Sequence, residues 1–157
     1  MNSADPFRTP ERLALRQVVR RFIEKEVLPD LDSWERSGKL PRELHRAAGE
    51  VGLLGLHYPE AAGGGDGDAI DLVVLVEEAL YAGASGGLIA GLLTTGISVP
   101  HIIAAGDEAQ ISLWVRPTLA GDLIGALAIT EPDGGSDVGG LRTTAVRDGD
   151  HYVVNGA

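Results

Sequence analysis

The loop at residues 130–137 carries the residue types best suited to holding a ligand. It follows an apolar run, so we predict that Thr130 ends a strand and offers its hydroxyl and amide together at the strand end. Gly134 and Gly135 lack side chains, so their backbone N–H groups can approach an anion closely, and Ser136 adds a hydroxyl donor. These donors suit a ligand that has both a phosphate and a polar ring. An ordinary glycine-rich turn explains the spacing equally well.

Two carboxylates flank these donors and must be accounted for. Glu131 and Asp137 would repel a phosphate placed beside them. We therefore predict that both side chains turn away from the glycines and hold the loop in shape instead.

Glu77 and Glu78 are a second pair of residues that could do acid–base chemistry. Adjacent residues point about 100° apart on a helix, so the two carboxylates cannot share one site. We predict that one of them is partly buried and paired, and that the other is solvated.

The sequence predicts no metal site. Histidines 45, 57, 101 and 151 lack ligand-like spacing and are assigned to solvated or capping roles. Asp66 and Asp68 lack the calcium-loop pattern, and a helix cap explains them. The count of zero cysteines excludes disulfides, thiolate nucleophiles and iron–sulfur clusters. Neither a Rossmann nor a P-loop fingerprint is present, so a nucleotide would have to bind through the loop at 130–137.

Charge and hydropathy restrict the partners and the location. The 157 residues carry 13 Lys and Arg against 23 Asp and Glu, a net charge of −10, which argues against nucleic-acid binding. Residues 79–106 have no formal charge, but glycines and Pro100 interrupt them, which favours a buried helical hairpin over a membrane span. The polar N-terminus carries no signal-peptide pattern, so we expect a cytoplasmic protein.

The elements that must position the loop are mostly helical. Apolar residues at helical spacing and capping residues predict about six helical segments before residue 122, packed as a bundle. Pro29 is expected to kink or end the first of them, and Ile111, Trp114 and Val115 are expected to form the buried side of the last. The expected helix starts are Thr9-Pro10, Pro41, Asp68, Ser85, Ser98 and the capping box Asp107–Gln110, and Gly121 is the expected end.

The pattern changes after residue 121. Residues 141–147 and 151–155 are predicted strands joined by a turn at Asp148-Gly149, with the run at 123–130 as a third strand. Asn155-Gly156 is a further hairpin signal, so the sheet looks unfinished. We predict an all-α domain over residues 1–121 and the beginning of a truncated β-domain over 122–157.

The segment at 126–140, Ala-Leu-Ala-Ile-Thr-Glu-Pro-Asp-Gly-Gly-Ser-Asp-Val-Gly-Gly, strongly resembles the first signature of the acyl-CoA dehydrogenase family. Residues 141–145 and 150–157 resemble that family's middle domain, and the resemblance extends back to about Arg12. Its helical part rests on Glu26-Val27-Leu28-Pro29, on Gly49 to Leu56, on Pro59-Glu60 and on Gly106 to Gln110. The fold it implies is mainly α: the family's N-terminal helical bundle, followed by the first strands of an incomplete antiparallel β-domain.

The resemblance also implies a cofactor and its residues. In this family the matching peptide lines FAD, which assigns Leu127, Ile129, Thr130, Gly135 and Ser136 to cofactor binding. The residue that matches Thr130 bonds the pyrimidine edge of the flavin ring. The residue that matches Ser136 approaches the pyrophosphate, and its backbone faces the thioester substrate.

The implied reaction is α,β-dehydrogenation of an acyl-CoA thioester, with electron-transfer flavoprotein as the electron acceptor. The family's catalytic glutamate lies in a C-terminal helical domain that this sequence lacks, as it lacks the family's Trp-containing strand. We therefore expect no catalytic residue in this chain, little activity from the chain alone, and a homo- or hetero-oligomer in the full-length form. The alternatives are a non-catalytic truncated subunit or remnant that packs against a complete homologue, and a free-standing helical bundle without cofactor.

Overall fold

Side-chain caps start four of the helices in the computed structural model, which describes residues 5–156. The Thr9 hydroxyl accepts a hydrogen bond from the Arg12 amide, and the Ser85 hydroxyl accepts one from Leu88. Asp68 forms a capping box with Asp71. The helices are α1 Pro10–Phe22, α2 Leu31–Ser37, α3 Arg42–Glu50, α4 Ala69–Tyr81, α5 Gly86–Leu92, α6 Thr95–Ala105, α7 Glu108–Gln110 and α8 Arg116–Leu119. The predicted starts at Thr9, Pro41, Asp68, Ser85 and Asp107 are confirmed.

Two π-helical turns and three short 3₁₀ turns complete the helical elements of the described residues. The π turn Ile23–Val27 continues α1 and ends just before Pro29, as predicted, and the π turn Ile111–Val115 joins α7 to α8. The 3₁₀ turns are Pro6–Arg8, Glu60–Ala62 and Val138–Gly140.

The apolar core lies among the helices. The larger cluster joins α1, α3, α4 and α5, and its fully buried side chains include Val19, Val27, Leu54 and Leu88. The smaller cluster lies around α6 and α8 and consists of Tyr58, Ala62, Val99, Val115 and Leu119. Val19 and Phe22 of α1 and Leu44 and Ala48 of α3 face the larger cluster, whereas Val73 and Leu80 of α4 are about half exposed.

Two predictions about the helices are wrong. Only Leu93 and Thr94 separate α5 from α6, so Ser98 lies inside α6 and does not cap it. The Ser98 hydroxyl is buried with no hydrogen-bond partner among the described residues. Trp114 is about half exposed, because the π turn changes the direction of the side chains around it and leaves Val115 as the buried residue.

Gly86–Ala105 has the length and apolar composition of a helix that could cross a membrane, although 22% of it is buried. Helices in the core of globular proteins can have the same length and apolar composition. The predicted helices of this stretch are present as α5 and α6, and four of its residues are buried while seven are half-buried, so the expected buried hairpin is only partly buried.

The chain divides into two compact units between Ala126 and Leu127. In the second unit, β1 Thr144–Asp148 pairs antiparallel with β2 His151–Asn155, with Thr144 opposite Asn155 and Asp148 opposite His151. The two-residue turn is Gly149-Asp150, one position later than predicted, and Gly149 takes a φ of 63°. The domain boundary at 121/122 and the truncation of the β-domain stay predictions.

The strand predicted over residues 123–130 is wrong. These residues have no strand partner among residues 5–156, because β1 and β2 pair only with each other. A strand needs a neighbour for its backbone hydrogen bonds, so an apolar run alone does not make one. Residues 1–4, from which the absence of a signal peptide was argued, and Ala157 lie outside the described residues.

Candidate functional site

The loop at 130–137 is closed by a tight turn in its own backbone. The Glu131 amide donates to the Gly134 carbonyl at 2.9 Å, and the Gly134 amide donates back to the Glu131 carbonyl at 3.1 Å. The Gly134 N–H is therefore used inside the turn. The prediction that it helps to hold an anion is wrong, because a backbone amide has a single hydrogen to donate.

The flanking carboxylates hold the loop, as predicted. The Glu131 carboxylate accepts hydrogen bonds from the Arg142 amide and from the amide and hydroxyl of Thr143. The Thr143 hydroxyl and the Arg142 amide lower the pKa of Glu131. Asp137 accepts from the Gly139 amide at 3.1 Å. Both side chains are thereby directed to backbone N–H groups of their own segment.

A third carboxylate adds to this framework. Asp133 forms an ion pair with Arg142 at 3.1 Å. The sequence analysis missed the roles of Arg142 and Thr143, although an acidic loop followed nine residues later by a cation was a usable signal.

The remaining donors of the loop are unused. Among residues 5–156, no protein acceptor receives the amide or hydroxyl hydrogens of Thr130 or Ser136, or the amide hydrogen of Gly135. A Cβ added at Gly135 would meet only the Thr130 methyl, at 3.8 Å, so the space beside the Gly135 Cα is open.

The apolar residues assigned to the cofactor lie just before these donors. Leu127 is 38% exposed and Ile129 is 44% exposed. Together the five assigned residues present amide and hydroxyl donors beside exposed apolar side chains. This donor set fits a ligand that combines an anionic group, a hydrogen-bonding edge and an apolar ring, as FAD does.

Glu77 and Glu78 do not form a site, and the prediction for this pair is confirmed. Glu78 is buried, and its carboxylate accepts from Arg20 Nε at 2.8 Å and from Arg16 Nη1 at 3.1 Å. Glu77 is more exposed and bonds the other Arg16 nitrogen at 2.5 Å. Both carboxylates are paired with α1, which indicates a structural role.

The histidine predictions hold in part, since His101 and His151 are exposed. No group of three or more histidine, aspartate or glutamate side chains within the described part of the chain could hold a metal ion. His45, however, is buried in α3 and neither solvated nor capping. The spacing of the histidines does not specify this burial, which depends on how α3 packs in the helical unit.

Comparison with known proteins identifies relatives along nearly the whole chain. The family model described as "Acyl-CoA dehydrogenase, N-terminal domain" matches residues 9–122. The long-chain specific acyl-CoA dehydrogenase of Sus scrofa mitochondria is 39% identical over 142 residues, which cover 90% of this chain and 33% of that protein.

Solved structures give the same result. A crystal structure described as an acyl-CoA dehydrogenase of Mycobacterium smegmatis matches with a TM-score of 0.92 and 61% identity over 97% of this chain and 40% of that one. A glutaryl-CoA dehydrogenase of M. smegmatis in complex with FADH2 matches with a TM-score of 0.81 and 28% identity, over 98% and 39%. The chain thus spans about a third to two-fifths of the length of these relatives.

Proposed function

Because the chain belongs to the acyl-CoA dehydrogenase family, we propose that it supplies part of the cofactor site of an FAD-dependent enzyme that dehydrogenates an acyl-CoA thioester between its α and β carbons. The observation that carries the proposal is the set of unused donors at Thr130, Gly135 and Ser136. The FADH2 complex of the glutaryl-CoA dehydrogenase supports it, since that protein matches this chain across the loop.

Each assigned residue has a definite task in this proposal. The Thr130 amide and hydroxyl donate to the pyrimidine edge of the flavin, where negative charge gathers on reduction, and so stabilise the reduced form. The Gly135 amide and the Ser136 hydroxyl donate to the pyrophosphate. Leu127 and Ile129 cover apolar surface. When bound, FAD supplies the chemistry by accepting the hydride from the substrate β-carbon.

The hydrogen bonds and the ion pair of the Glu131 and Asp133 carboxylates reduce their repulsion of a bound anion. Glu131 and Asp133 are directed to Arg142 and Thr143, so their charges are partly offset within the loop. Losing these bonds would free two negative charges beside the pyrophosphate donors and weaken binding.

The proposal also includes the catalytic base, the electron acceptor and the oligomeric form of the whole enzyme. The α-proton is taken by a carboxylate from outside this chain, electrons pass to electron-transfer flavoprotein, and the working form is a homo- or hetero-oligomer. A cytoplasmic location is part of the same proposal.

The first test is cofactor binding by the 157-residue chain. FAD is titrated into the chain and followed by flavin fluorescence and by the visible spectrum, with and without acyl-CoA. We expect bound flavin that acyl-CoA does not bleach, since in this proposal the carboxylate that takes the α-proton comes from outside the chain. Absence of bound flavin would contradict the proposal and favour a remnant or a free-standing bundle.

The second test separates the role of Thr130 from a structural one. In a form of the protein that also carries the catalytic carboxylate, Thr130→Val should raise the barrier to flavin reduction by about 1–3 kcal/mol, more than it weakens FAD binding. Thr144→Val, the same change on an exposed strand position, is the matched control and should alter neither. If Thr130→Val lowered the rate of flavin reduction and the affinity for FAD by equal factors, Thr130 would have a structural role only.

A further inference from the structure

Four positions of the sequence place a glycine directly after an aspartate or an asparagine. They are Asp66-Gly67, Asp133-Gly134, Asp148-Gly149 and Asn155-Gly156. A glycine leaves no side chain to hinder its own backbone nitrogen from reaching the side-chain carbonyl carbon of the residue before it. The three aspartates are ionised at neutral pH, and a carboxylate resists attack by a nitrogen. The carboxamide of Asn155 is uncharged, so chemistry favours this pair as the reactive one.

The structure holds two of the aspartate pairs in place. The Gly67 amide donates to the Leu56 carbonyl at 2.8 Å, and the Gly134 amide donates to the Glu131 carbonyl at 3.1 Å. The carboxylate of Asp66 also accepts a hydrogen bond from a backbone amide, at 3.2 Å. A nitrogen bonded in this way cannot turn toward the preceding side chain unless the bond breaks, so folding protects both positions.

The Gly156 amide is not held. In the hairpin Asp148 lies opposite His151 at the two-residue turn, and Thr144 lies opposite Asn155. Bonded and non-bonded pairs alternate from a bonded pair at the turn, so Thr144 and Asn155 are a bonded pair and the next N–H, that of Gly156, points away from β1. Within the part of the chain that the structure describes, no acceptor receives this hydrogen. Asn155 and Gly156 are both exposed to solvent.

The movement that brings the reacting atoms together is a small one. Turning the Gly156 nitrogen toward the Asn155 side chain rotates the peptide plane between them and breaks the bond from the Thr144 amide to the Asn155 carbonyl. This bond is the last of a two-stranded ladder, and the ends of such ladders open at little cost.

We propose that Asn155 is a site of spontaneous deamidation. The Gly156 nitrogen loses its proton to solvent and forms a bond to Asn155 Cγ, while the bond from Cγ to Nδ2 breaks and ammonia leaves with a proton from water. Water then opens the resulting succinimide at either carbonyl carbon, which yields aspartate or isoaspartate. The reaction requires no oxidant, and it is independent of the cofactor site.

The products change the end of β2. Either one places a new negative charge opposite Thr144, and isoaspartate also lengthens the backbone by one carbon atom. The extra atom shifts the register at this pair, so the modified hairpin loses its terminal hydrogen bonds.

The test compares the folded and the unfolded chain. The 157-residue chain is incubated in mildly alkaline buffer, with and without urea, and position 155 is followed by peptide mass mapping and by labelling with an isoaspartyl methyltransferase. Mapping separates it from Asn2, the other asparagine of the sequence. The folded chain should react within about tenfold of the rate in urea, because a single hydrogen bond has to open. A folded chain that stays unmodified while the chain in urea reacts to completion would overturn the proposal.

A matched variant tests the role of the free amide. Asp66→Asn creates the same dipeptide at a glycine whose amide is bonded, and it keeps an acceptor for the Glu60 amide. In urea, position 66 of this variant should deamidate as fast as Asn155. In the folded variant it should react at least about tenfold more slowly than Asn155, since two hydrogen bonds hold it. Equal rates at the two positions of the folded variant would overturn the proposal.

A second variant identifies the reacting side chain. Asn155→Gln keeps the carboxamide but requires a six-membered ring, which forms far more slowly, so labelling of the peptide around position 155 should be lost. Labelling of that peptide that survives Asn155→Gln would assign the reaction to a neighbouring aspartate and contradict the proposal.

Discussion

The helical unit and the segment at 127–156 are held in shape by different forces. Every buried apolar side chain of the described chain lies before Ala126, and all but Val74 belong to the two clusters of the helical unit. None of the residues from 127 to 156 is buried. Their shape depends on one strand pairing and on the hydrogen bonds of Glu131, Asp133 and Asp137.

This difference separates stability from function in the chain. The helical unit holds the apolar area that drives folding, whereas the second segment carries the donors assigned to FAD. An isolated two-stranded hairpin is marginally stable, so the loop relies on its carboxylate bonds more than a buried loop would. Substitutions in the two regions should therefore have effects of different size and be seen by different measurements.

The largest effect is expected from removing core volume. Leu54 is 2% exposed, so Leu54→Ala leaves a cavity and should lower the free energy of unfolding by about 2–5 kcal/mol. The measurement is urea unfolding followed by helical circular dichroism. Leu141→Ala is the matched control, because Leu141 is 37% exposed in the other unit. A loss of similar size in Leu141→Ala would contradict the division between the two regions.

A backbone substitution should come next in size. Gly121 has a φ of 83°, and a Cβ there would lie 2.1 Å from the His45 carbonyl oxygen. Gly121→Ala combines backbone strain with a clash and should cost about 2–3 kcal/mol in the same unfolding experiment. Gly38→Ala is the control, with a φ of 67° but no atom within 4 Å of the added Cβ, and should cost about 1 kcal/mol. Equal losses would show that the contact with α3 is unimportant.

The sequence predicts best the features that depend on neighbouring residues. The caps at Thr9 and Asp68 need only a side chain two or three positions from an amide, so composition and spacing suffice. The same holds for Glu131. Its side chain was predicted to turn away from the glycines, and its carboxylate bonds Arg142 and Thr143 instead.

Features that depend on distant parts of the chain could not be predicted. His45 lies on the charged helix α3 and Ser98 on the apolar helix α6, and only the packing of other elements decides that the His45 ring and the Ser98 hydroxyl are buried. The strand expected over 123–130 required a partner strand that the sequence pattern does not specify. The engagement of the Gly134 amide follows from the turn geometry, which glycine spacing alone does not define.

An intermediate effect is expected from the ion pairs between α1 and α4. Burial raises the pKa of Glu78, but hydrogen bonds from Arg20 and Arg16 outweigh it and lower that pKa below its usual 4.5. Glu78→Gln should lower the free energy of unfolding by about 1–3 kcal/mol at pH 7, since two charged donors lose their acceptor charge. Glu77→Gln, at a more exposed partner of Arg16, should cost less than about 1 kcal/mol.

The pH dependence identifies the cause. A carboxylate whose pKa is lower in the folded state stabilises that state above its unfolded pKa, and the contribution is lost as the pH falls through the folded pKa. The stability difference between the unmodified chain and Glu78→Gln should therefore be constant above about pH 5 and shrink below 4.5. A difference that persists unchanged at pH 3 would point to packing rather than charge.

The smallest effect on stability, and the one most specific to the second region, is expected from Glu131→Gln. An amide side chain accepts hydrogen bonds more weakly than a carboxylate, so the backbone amides of Arg142 and Thr143 should exchange with solvent several-fold faster by NMR. Helical unfolding should not change. Asp150→Asn, at an exposed carboxylate in the hairpin turn that bonds only its neighbour His151, is the control and should leave both amides as they are.

Acid should reproduce this loosening in the unmodified chain. Because Thr143 and Arg142 lower the pKa of Glu131, the carboxylate holds the loop above its usual 4.5 and releases it as the pH falls further. The two amides, corrected for the intrinsic pH dependence of exchange, should lose protection in that range only when Glu131 is present. If Glu131→Gln shows the same acid-dependent loss, another group holds the loop, and the donors assigned to FAD are positioned by something other than this carboxylate.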